Sequence, residues 1–208
     1  MPKFRAPKLN LHRVNDVLFV LIVVINLYII AAPLLPQITY WWDTHHTDRR
    51  QHLEQLIQKP ASRPNKQTTT TVSEPNQLII PAMMLDQQTL EGPESDWFNI
   101  LYRGIWRWPG GSTPDKGGNT IFLSHRFSYT GPRGAFYYLN KLQIGDTIGV
   151  IWNGKTYTYS VISSQTVPPT DTAIEDNTLD AQITLFTCTP LWHPIDRLVV
   201  IAKLRSIS

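Results

Sequence analysis

Three residues of the types used in nucleophilic catalysis stand at the ends of apolar segments. Cys188 ends the segment ITLFTC, His125 ends TIFLSH, and Arg197 begins RLVVIAKL. Side chains at strand ends are held by a rigid scaffold and still remain accessible, which suits catalysis. Each residue also has a plain structural interpretation: Cys188 as a small core residue, His125 as a hydrogen-bonded loop histidine, and Arg197 as a salt-bridged first residue of a strand.

Together the three side chains would supply a nucleophile, an acid or base, and a fixed cation. An ordinary thiol, with a pKa of about 8.5, is only a few per cent thiolate at neutral pH, so a nearby imidazolium or guanidinium would help it to react. His193 follows Cys188 in a loop between two prolines and is a competing candidate for the histidine.

The cysteine count and the net charge narrow the classes of function. The chain has one cysteine and a formal net charge of +3. A single cysteine excludes a disulfide within the chain and leaves either an inert buried thiol or a reactive one. The net charge is too small to indicate nucleic-acid binding. Several basic residues at the start of the chain precede an apolar run, which is typical of a membrane-orienting flank.

The apolar run at 17–35 has Asn26 as its only strongly polar side chain. About 20 such residues cross the hydrocarbon core as a helix, so the run predicts a transmembrane signal anchor, with a cleaved signal peptide as the alternative. We expect 1–16 to be a cytoplasmic basic tail and 36–75 a polar stalk or linker outside the cell. A globular domain at 76–208 follows.

The segment from residue 76 onward predicts a mainly β domain. The runs DTIGVIW and KTYTYSV alternate in polarity around Asn153-Gly154, a pair that favours a type I′ hairpin turn. LIIPAMML is predicted as the first strand, and SDWFNILYRGIWRWPGG carries apolar residues at the spacing of a helix that Pro-Gly-Gly ends. Many short strands with little helix favour a closed β-barrel or a sandwich.

The chain from Asn76 to Leu204 resembles the sortase family of cysteine transpeptidases. Motifs in the family's order carry the resemblance: NQLIIP, RGIWRWPGGSTPDKGGN, GNTIFLSHR, FYYLNKLQIGDTIGV, TLFTC (the TLxTC cysteine motif) and RLVVIAKL. The resemblance implies a closed sortase-type β-barrel with one or two short helices, behind an N-terminal transmembrane helix.

Roles for individual residues follow from this resemblance. Cys188 matches the family's nucleophile, His125 its catalytic histidine, and Arg197 the arginine that steadies the substrate carbonyl oxygen. Thr187 matches the motif threonine and is expected to add a hydroxyl near the oxyanion. Ser124 stands where the family usually has glycine, and we expect it to alter how closely the substrate backbone approaches.

The loops around these motifs suggest how the groove is shaped. Trp192, in the short loop after the cysteine motif, is expected either to contact the apolar part of a peptide or to cover the barrel end. No Asp-aromatic lid motif precedes the barrel, which predicts an open groove. Acidic residues between Asp171 and Asp180 are expected to form a solvated loop, and we predict neither a metal nor a cofactor.

The implied activity is transpeptidation at the outer face of the cell membrane. The family cleaves an LPxTG-like sorting signal through a cysteine thioester and transfers the acyl group to an amine of a cell-wall precursor or a pilin lysine. The expected partners are therefore sorting-signal-bearing surface proteins or pilins. Two alternatives stay open: a surface-displayed, non-catalytic β-barrel binding module, and a cysteine hydrolase on the same fold.

Overall fold

The structure, a computed structural model, describes residues 11–32, 34–46, 48–58, 75–127, 134–191 and 193–208. The chain divides into two compact units, Met1–Thr47 and Asp48–Ser208. Among the described residues, the first unit contains helices α1 and α2, and the second contains two further α-helices and the strands.

In the first unit, helix α1 spans Leu11–Ala31 and helix α2 spans Leu35–His46. The stretch His12–Ala31 of α1 is long and apolar enough to cross a membrane, a property that a signal sequence near an N-terminus shares. Its amide-bearing side chain, Asn26, donates to the carbonyl oxygen of Ile22 at 2.8 Å. That polar group is therefore satisfied inside its own helix, as a hydrocarbon environment requires.

The bounds of α1 differ from the predicted span of 17–35, because the helix begins and ends earlier in the chain. The sequence has a proline at position 33. A proline disfavours helical backbone at the residue before it and lacks the N–H that a helix interior needs. The apolar run of the sequence therefore extends to residue 35, beyond the end of α1 at Ala31.

In the second unit, eight strands form one closed barrel, which confirms the predicted fold class. Around the barrel the strands lie in the order β1-β2-β3-β4-β7-β8-β6-β5. Their bounds are β1 Gln77–Ile80, β2 Leu85–Leu90, β3 Ile105–Arg107, β4 Asn119–Leu123, β5 Thr147–Trp152, β6 Lys155–Val167, β7 Gln182–Thr189 and β8 Asp196–Ile207. The helices are α3, Arg49–Gln58, and α4, Trp97–Arg103.

Alternation along the strands separates an inner core from an outer face. Phe122 and Leu185 are fully buried in the main core, while Ile121 and Phe186 belong to a second apolar cluster. Because successive side chains of a strand point to opposite faces, the second cluster lies on the outside of β4 and β7. Other segments of the chain must therefore shield this apolar outer cluster from water.

The β5–β6 hairpin has the predicted type I′ turn. Asn153 and Gly154 both have positive φ, 50° and 74°, and the strands pair from Thr147 opposite Ser160 to Trp152 opposite Lys155. Type I′ turns match the twist of the flanking strands, so this two-residue connection fixes the register.

The apolar run LIIPAMML is not one strand, as the sequence had suggested. Strand β1 ends at Ile80, and Pro81–Met83 form a short 3₁₀ turn before Met84 adopts left-handed backbone with a φ of 54°. Proline cannot donate to a strand ladder, so the chain turns there, and β2 returns antiparallel to β1.

Helix α3 packs on the barrel, although its residues lie in the segment that we had assigned to a stalk. Leu53 and Ile57 are only 2% and 3% exposed and contact Ile79 of β1. Leu53, Leu56 and Ile57 follow the i, i+3, i+4 spacing of an amphipathic helix face. The compact unit accordingly begins at Asp48, well before the predicted boundary at residue 76.

Candidate active site

Strands β7 and β8 place Cys188 and Arg197 side by side. The two residues are direct partners in the antiparallel ladder. Side chains directly opposite each other in such a pair share a face, with Cβ atoms about 4.5–5.5 Å apart. Cys188 is exposed, which excludes the interpretation of this residue as a small core side chain.

His125 follows β4, the neighbour of β7 on the other side. β4 and β7 run parallel, with Leu123 opposite Phe186, so two further residues bring His125 level with Cys188. The two segments remain in contact beyond the last paired residues, because the Thr187 hydroxyl donates to the carbonyl oxygen of Ser124 at 2.8 Å. The three predicted residues therefore meet at one end of three adjacent strands.

A second segment fixes the backbone of His125. The N–H of Phe136 donates to the His125 carbonyl oxygen at 3.2 Å, and the N–H of Gly134 donates to the Arg126 carbonyl oxygen at 3.3 Å. A Cβ atom at residue 134 would overlap the carbonyl oxygen of His125, so this approach requires glycine. Phe136 is fully buried and anchors the segment in the core.

The imidazole of His125 is half-buried, and this burial lowers its pKa below the usual value of 6.5. Removing the ring from water penalises the imidazolium form. The folded chain therefore favours neutral His125 at pH 7. The ring would hold a proton there only when a negative charge, such as a thiolate, comes close.

Cys188 and Arg197 line an open cleft of about 470 Å³ on the outer face of the barrel. The walls of this cleft are mostly apolar and aromatic, and they come from α4, the segment before it, four strands and two loops. His125 is not among the lining residues, which are Glu94, Trp97, Leu101, Trp106, Trp108, Leu123, Glu175, Phe186, Cys188 and Arg197.

The guanidinium of Arg197 is engaged from two sides. Its Nη1 donates to Glu175 Oε1 at 2.9 Å, and its Cζ lies 5.1 Å from the centre of the Phe186 ring. Arg197 thus forms the salt bridge that its structural interpretation as the first residue of a strand predicts. This salt bridge lies in the cleft that Cys188 also lines. Arginine keeps further N–H groups after this bond, so it can still bind an oxygen atom.

The sequence predicts a solvated acidic loop between β6 and β7, but several of its carboxylates have partners in the structure. Besides Glu175, Asp180 of this loop pairs with Lys203 at 2.9 Å. The Asp171 carboxylate accepts, at 3.1 Å, the N–H of Ala173, the first residue of the short 3₁₀ turn that carries Glu175. Within the described part of the chain, no group of three or more His, Cys, Asp or Glu could hold a metal ion.

A buried asparagine at the start of β4 holds the same loop. Asn119 is 1% exposed. Its Nδ2 donates to the carbonyl oxygens of Ile174 and Asp176, at 3.1 and 3.0 Å, and its Oδ1 accepts the Thr184 hydroxyl at 2.7 Å. The two carbonyls flank Glu175, so Asn119 clamps the backbone on both sides of that carboxylate.

The remaining predicted site residues lie in different surroundings. Ser124 and Thr187 are 5% and 3% exposed, and neither lines the cleft. The Ser124 hydroxyl donates to the Gly104 carbonyl oxygen at 3.0 Å. Both hydroxyls thus bond to backbone of the barrel. His193 is exposed and does not line the cleft, and Trp192 lies outside the described residues.

Sequence patterns did not indicate several residues that shape the site. Asn119 opens a strand, and Glu175 is one of several acids in a loop, so neither type nor spacing marks them. Gly134 ends the segment GPRG, whose composition indicates a turn but does not show which backbone the glycine approaches. Trp106 and Trp108 lie in the segment whose spacing predicts a helix, but that prediction is wrong for this part: α4 ends at Arg103, and Trp106 belongs to β3.

Comparisons with known proteins agree with the fold described above. A family model described as Sortase domain matches residues 78–205. Among solved structures, sortase E1 from Streptomyces coelicolor with a tripeptide in the active site is 26% identical, with a TM-score of 0.55 over 64% of this chain and 88% of that one. The Clostridium perfringens sortase D5 transpeptidase is 20% identical, with a TM-score of 0.56 over 81% and 94%.

Sortase C-1 from Actinomyces oris is 21% identical, with a TM-score of 0.57 over 76% of this chain and 97% of that one. At this identity, the likeness to the sortase C-1 and D5 structures concerns the fold. No curated protein sequence matches the chain significantly.

Proposed function

Because the chain belongs to the sortase family, we propose that it is a transpeptidase that cleaves a sorting-signal peptide through a thioester on Cys188. The observation that carries the proposal is the position of Cys188, exposed in a cleft and directly opposite Arg197. A thiol next to a guanidinium has a cation to stabilise both its thiolate and the charge that develops on a substrate.

The first half of the proposed reaction is acylation. The Cys188 thiolate attacks the carbonyl carbon of the residue before the scissile bond, and negative charge grows on the carbonyl oxygen. Arg197 donates hydrogen bonds to that oxygen, and one such donor is typically worth about 3 kcal/mol of barrier. The C–N bond then breaks, and the imidazolium of His125 protonates the leaving amine.

The second half of the reaction transfers the acyl group. An acceptor amine attacks the thioester carbonyl, neutral His125 takes the proton that the amine loses, and the Cys188 thiolate leaves. A new amide bond replaces the thioester, so the total number of bonds is unchanged. Water in place of the amine would give a free acid, which is the hydrolase alternative.

The cleft supports a peptide substrate with apolar side chains near the scissile bond. Trp97 and Leu101 of α4 line the cleft together with Leu123, Phe186 and Cys188. Aromatic surfaces contribute large contact areas at low entropic cost. We propose an LPxTG-like sorting signal as the peptide, and a cell-wall precursor amine or a pilin lysine as the acceptor.

The apolar helix α1 supports a location at the cell membrane. Its length and composition fit a single span, and we propose that the basic residues before it stay in the cytoplasm, with the barrel outside. Surface proteins or pilins that carry a sorting signal would then meet the barrel on the outer side.

The test is a product analysis with the purified full chain. LPxTG-like peptides are incubated with and without hydroxylamine, and the products are identified by mass spectrometry. We expect a peptide hydroxamate with hydroxylamine, a covalent acyl-enzyme on Cys188, and neither product with Cys188→Ala. As a control, Lys155→Ala changes an exposed residue of the β5–β6 hairpin and should keep activity within a few-fold.

The outcomes separate the alternatives. Free acid as the only product, even at high hydroxylamine concentration, would indicate a hydrolase. Peptide binding without any Cys188-dependent product would indicate a binding module. Equal activity of the wild type and Cys188→Ala would contradict the nucleophile.

A further inference from the structure

The ion pair between Arg197 and Glu175 lies inside the cleft, where a peptide would bind. Nη1 of Arg197 and Oε1 of Glu175 are 2.9 Å apart, and the two side chains are only 26% and 22% exposed. Both residues line the same cleft as Cys188. The carboxylate therefore contacts the guanidinium within the cleft that also contains the thiol.

The backbone of Glu175 is held more firmly than that of an ordinary loop residue. Asn119 donates to the carbonyl oxygens before and after Glu175. Ile174, its neighbour, is 7% exposed and packs in the outer cluster with Phe186 and Val199. Polar and apolar contacts thus fix the loop against β4, β7 and β8, and the carboxylate is presented to Arg197 from a defined position.

The hydrogen bond to Glu175 orients the guanidinium and leaves other N–H groups of Arg197 available. Arginine carries several N–H donors in a planar fork, and Glu175 accepts from one nitrogen. The Phe186 ring, 5.1 Å from Cζ, restricts the plane from another direction. The guanidinium is therefore held at two points, and its remaining donors stay available beside Cys188.

We propose that Glu175 is a positioning residue for Arg197, and that Asn119 sets the loop that presents it. The proposal rests on the proposed function, because it matters for catalysis only if Arg197 binds the substrate oxygen. Glu175 acts through Arg197 and does not itself contact the reacting atoms. The β6–β7 loop would thereby couple its own conformation to the rate of acylation.

The main experiment compares acylation rates of Glu175→Ala, Glu175→Gln and Asp176→Asn. The last variant is the matched control, because it removes the same charge one residue away, at an exposed position of the same loop. We expect Glu175→Ala to lower the single-turnover rate by about 10-fold, Glu175→Gln by less, and Asp176→Asn by less than about twofold. The Gln oxygen can still accept a hydrogen bond, so it retains part of the orientation.

A double-mutant cycle distinguishes positioning from a general loss of structure. In the Arg197→Ala background, which should itself cost roughly 100-fold, adding Glu175→Ala should change the residual rate by less than about twofold. An equal 10-fold effect in both backgrounds would overturn the proposal, because Glu175 would then act independently of Arg197. A faster Glu175→Ala variant would also overturn it, since Glu175 would be competing with the substrate.

A measurement that needs no substrate keeps this inference separate from the proposed function. The order parameter of the Arg197 Nε–H vector, measured by ¹⁵N relaxation, should fall in Glu175→Ala and stay unchanged in Asp176→Asn. If no peptide reacts even with the wild type, the proposed function fails, and this result still decides whether Glu175 orients Arg197. An unchanged order parameter in Glu175→Ala would overturn the positioning role.

Discussion

Arg197 illustrates how one residue can have a structural and a catalytic interpretation at the same time. Its ion pair with Glu175 is partly exposed to solvent, and such pairs contribute only about 0–1 kcal/mol to stability. Orientation of the guanidinium is therefore the larger effect to expect from this contact. The salt bridge does not argue against a role in binding the substrate oxygen.

Burial lowers the pKa of His125, and this shift affects the pH dependence of the proposed reaction. The proposed mechanism uses His125 as imidazolium, yet desolvation lowers its pKa. We expect an NMR titration of the ring to give a value below 6.5. We also expect a bell-shaped dependence of kcat/KM on pH, with one limb at that value, because proton transfer requires this ring. A ring pKa at or above 6.5 would contradict the prediction.

The same shift predicts how stability depends on pH. Because the pKa is lower in the folded than in the unfolded chain, the unfolded chain binds more protons as pH falls through about 6.5. His125 should therefore reduce stability on the acid side, and the effect should level off below the folded-state pKa. His125→Gln serves as the control, since its Tm should fall less between pH 7.5 and pH 5.5 than that of the wild type.

The sequence indicated some residues of the candidate site and not others, for a physical reason. Cys188, His125 and Arg197 each stand at a strand end, which local patterning can show, and the structure brings them together. Their catalytic roles stay predictions. Asn119 and Glu175 meet through contacts between β4 and a loop more than 50 residues later, and no local pattern encodes such a contact.

Among the elements, the segment 134–136 holds the backbone at His125 through hydrogen bonds between backbone groups. Its N–H groups bond to the two carbonyls that follow the end of β4, those of His125 and Arg126. The close approach leaves no room for a side chain at Gly134. The histidine is thereby held by a segment that carries no catalytic side chain in the structure.

Gly134→Ala is expected to impair catalysis by moving His125. Its Cβ would overlap backbone, which cannot rotate away as a flexible side chain can, so one of the two segments must shift. A displacement of about 1 Å can cost on the order of 100-fold in rate, and we expect a loss of this size in kcat. Steady-state kinetics and the His125 ring resonances measure the effect.

Ala135→Gly provides the comparison for this prediction. It alters the adjacent backbone position without a new atom, and its cost should be about 1 kcal/mol of stability at most. Full activity of Gly134→Ala, with unshifted His125 resonances, would show that the close approach is not required.

Local patterns predicted some elements better than others. The β5–β6 hairpin followed from its alternation and its Asn-Gly turn, because both signals are local. The run LIIPAMML was misjudged as one strand, since periodicity cannot show that Pro81 separates two antiparallel strands. Helix α3 carried a visible apolar stripe, but the polar residues around it suggested a solvated segment.

At the scale of the whole chain, the compact unit from Asp48 to Ser208 includes a helix outside the barrel. Leu53 and Ile57 of α3 cover part of β1 that would otherwise face water. Complete burial of one such side chain is worth about 1.5–3 kcal/mol. The helix is therefore expected to stabilise the barrel.

Truncation tests this contribution of α3. A chain that begins at Asp48 should unfold cooperatively, whereas one that begins at Pro75 should have a Tm lower by roughly 5–15 °C. Thermal unfolding followed by circular dichroism measures the difference. Within the longer chain, Leu53→Ala/Ile57→Ala should reproduce much of the loss, and the exposed pair Gln51→Ala/Gln55→Ala should not. Equal Tm values for the two truncated chains would contradict a stabilising role.

The resemblance to the sortase family predicted a closed barrel, whereas the strand patterns alone did not distinguish a barrel from a sandwich. Parallel pairing of β4 with β7 joins segments about 60 residues apart, and β8 pairs with both β7 and β6. Alternation fixes which face of each strand is buried, yet it does not choose the neighbouring strand. A sandwich would satisfy the same alternation.

The exposed thiol of Cys188 has a consequence for the response of this protein to oxidants. Peroxide converts an accessible thiolate to a sulfenic acid, and in many proteins a second cysteine then captures that species as a disulfide. This chain has a single cysteine. It has no resolving thiol of its own, so recovery from such damage depends on a small-molecule or protein reductant supplied from outside.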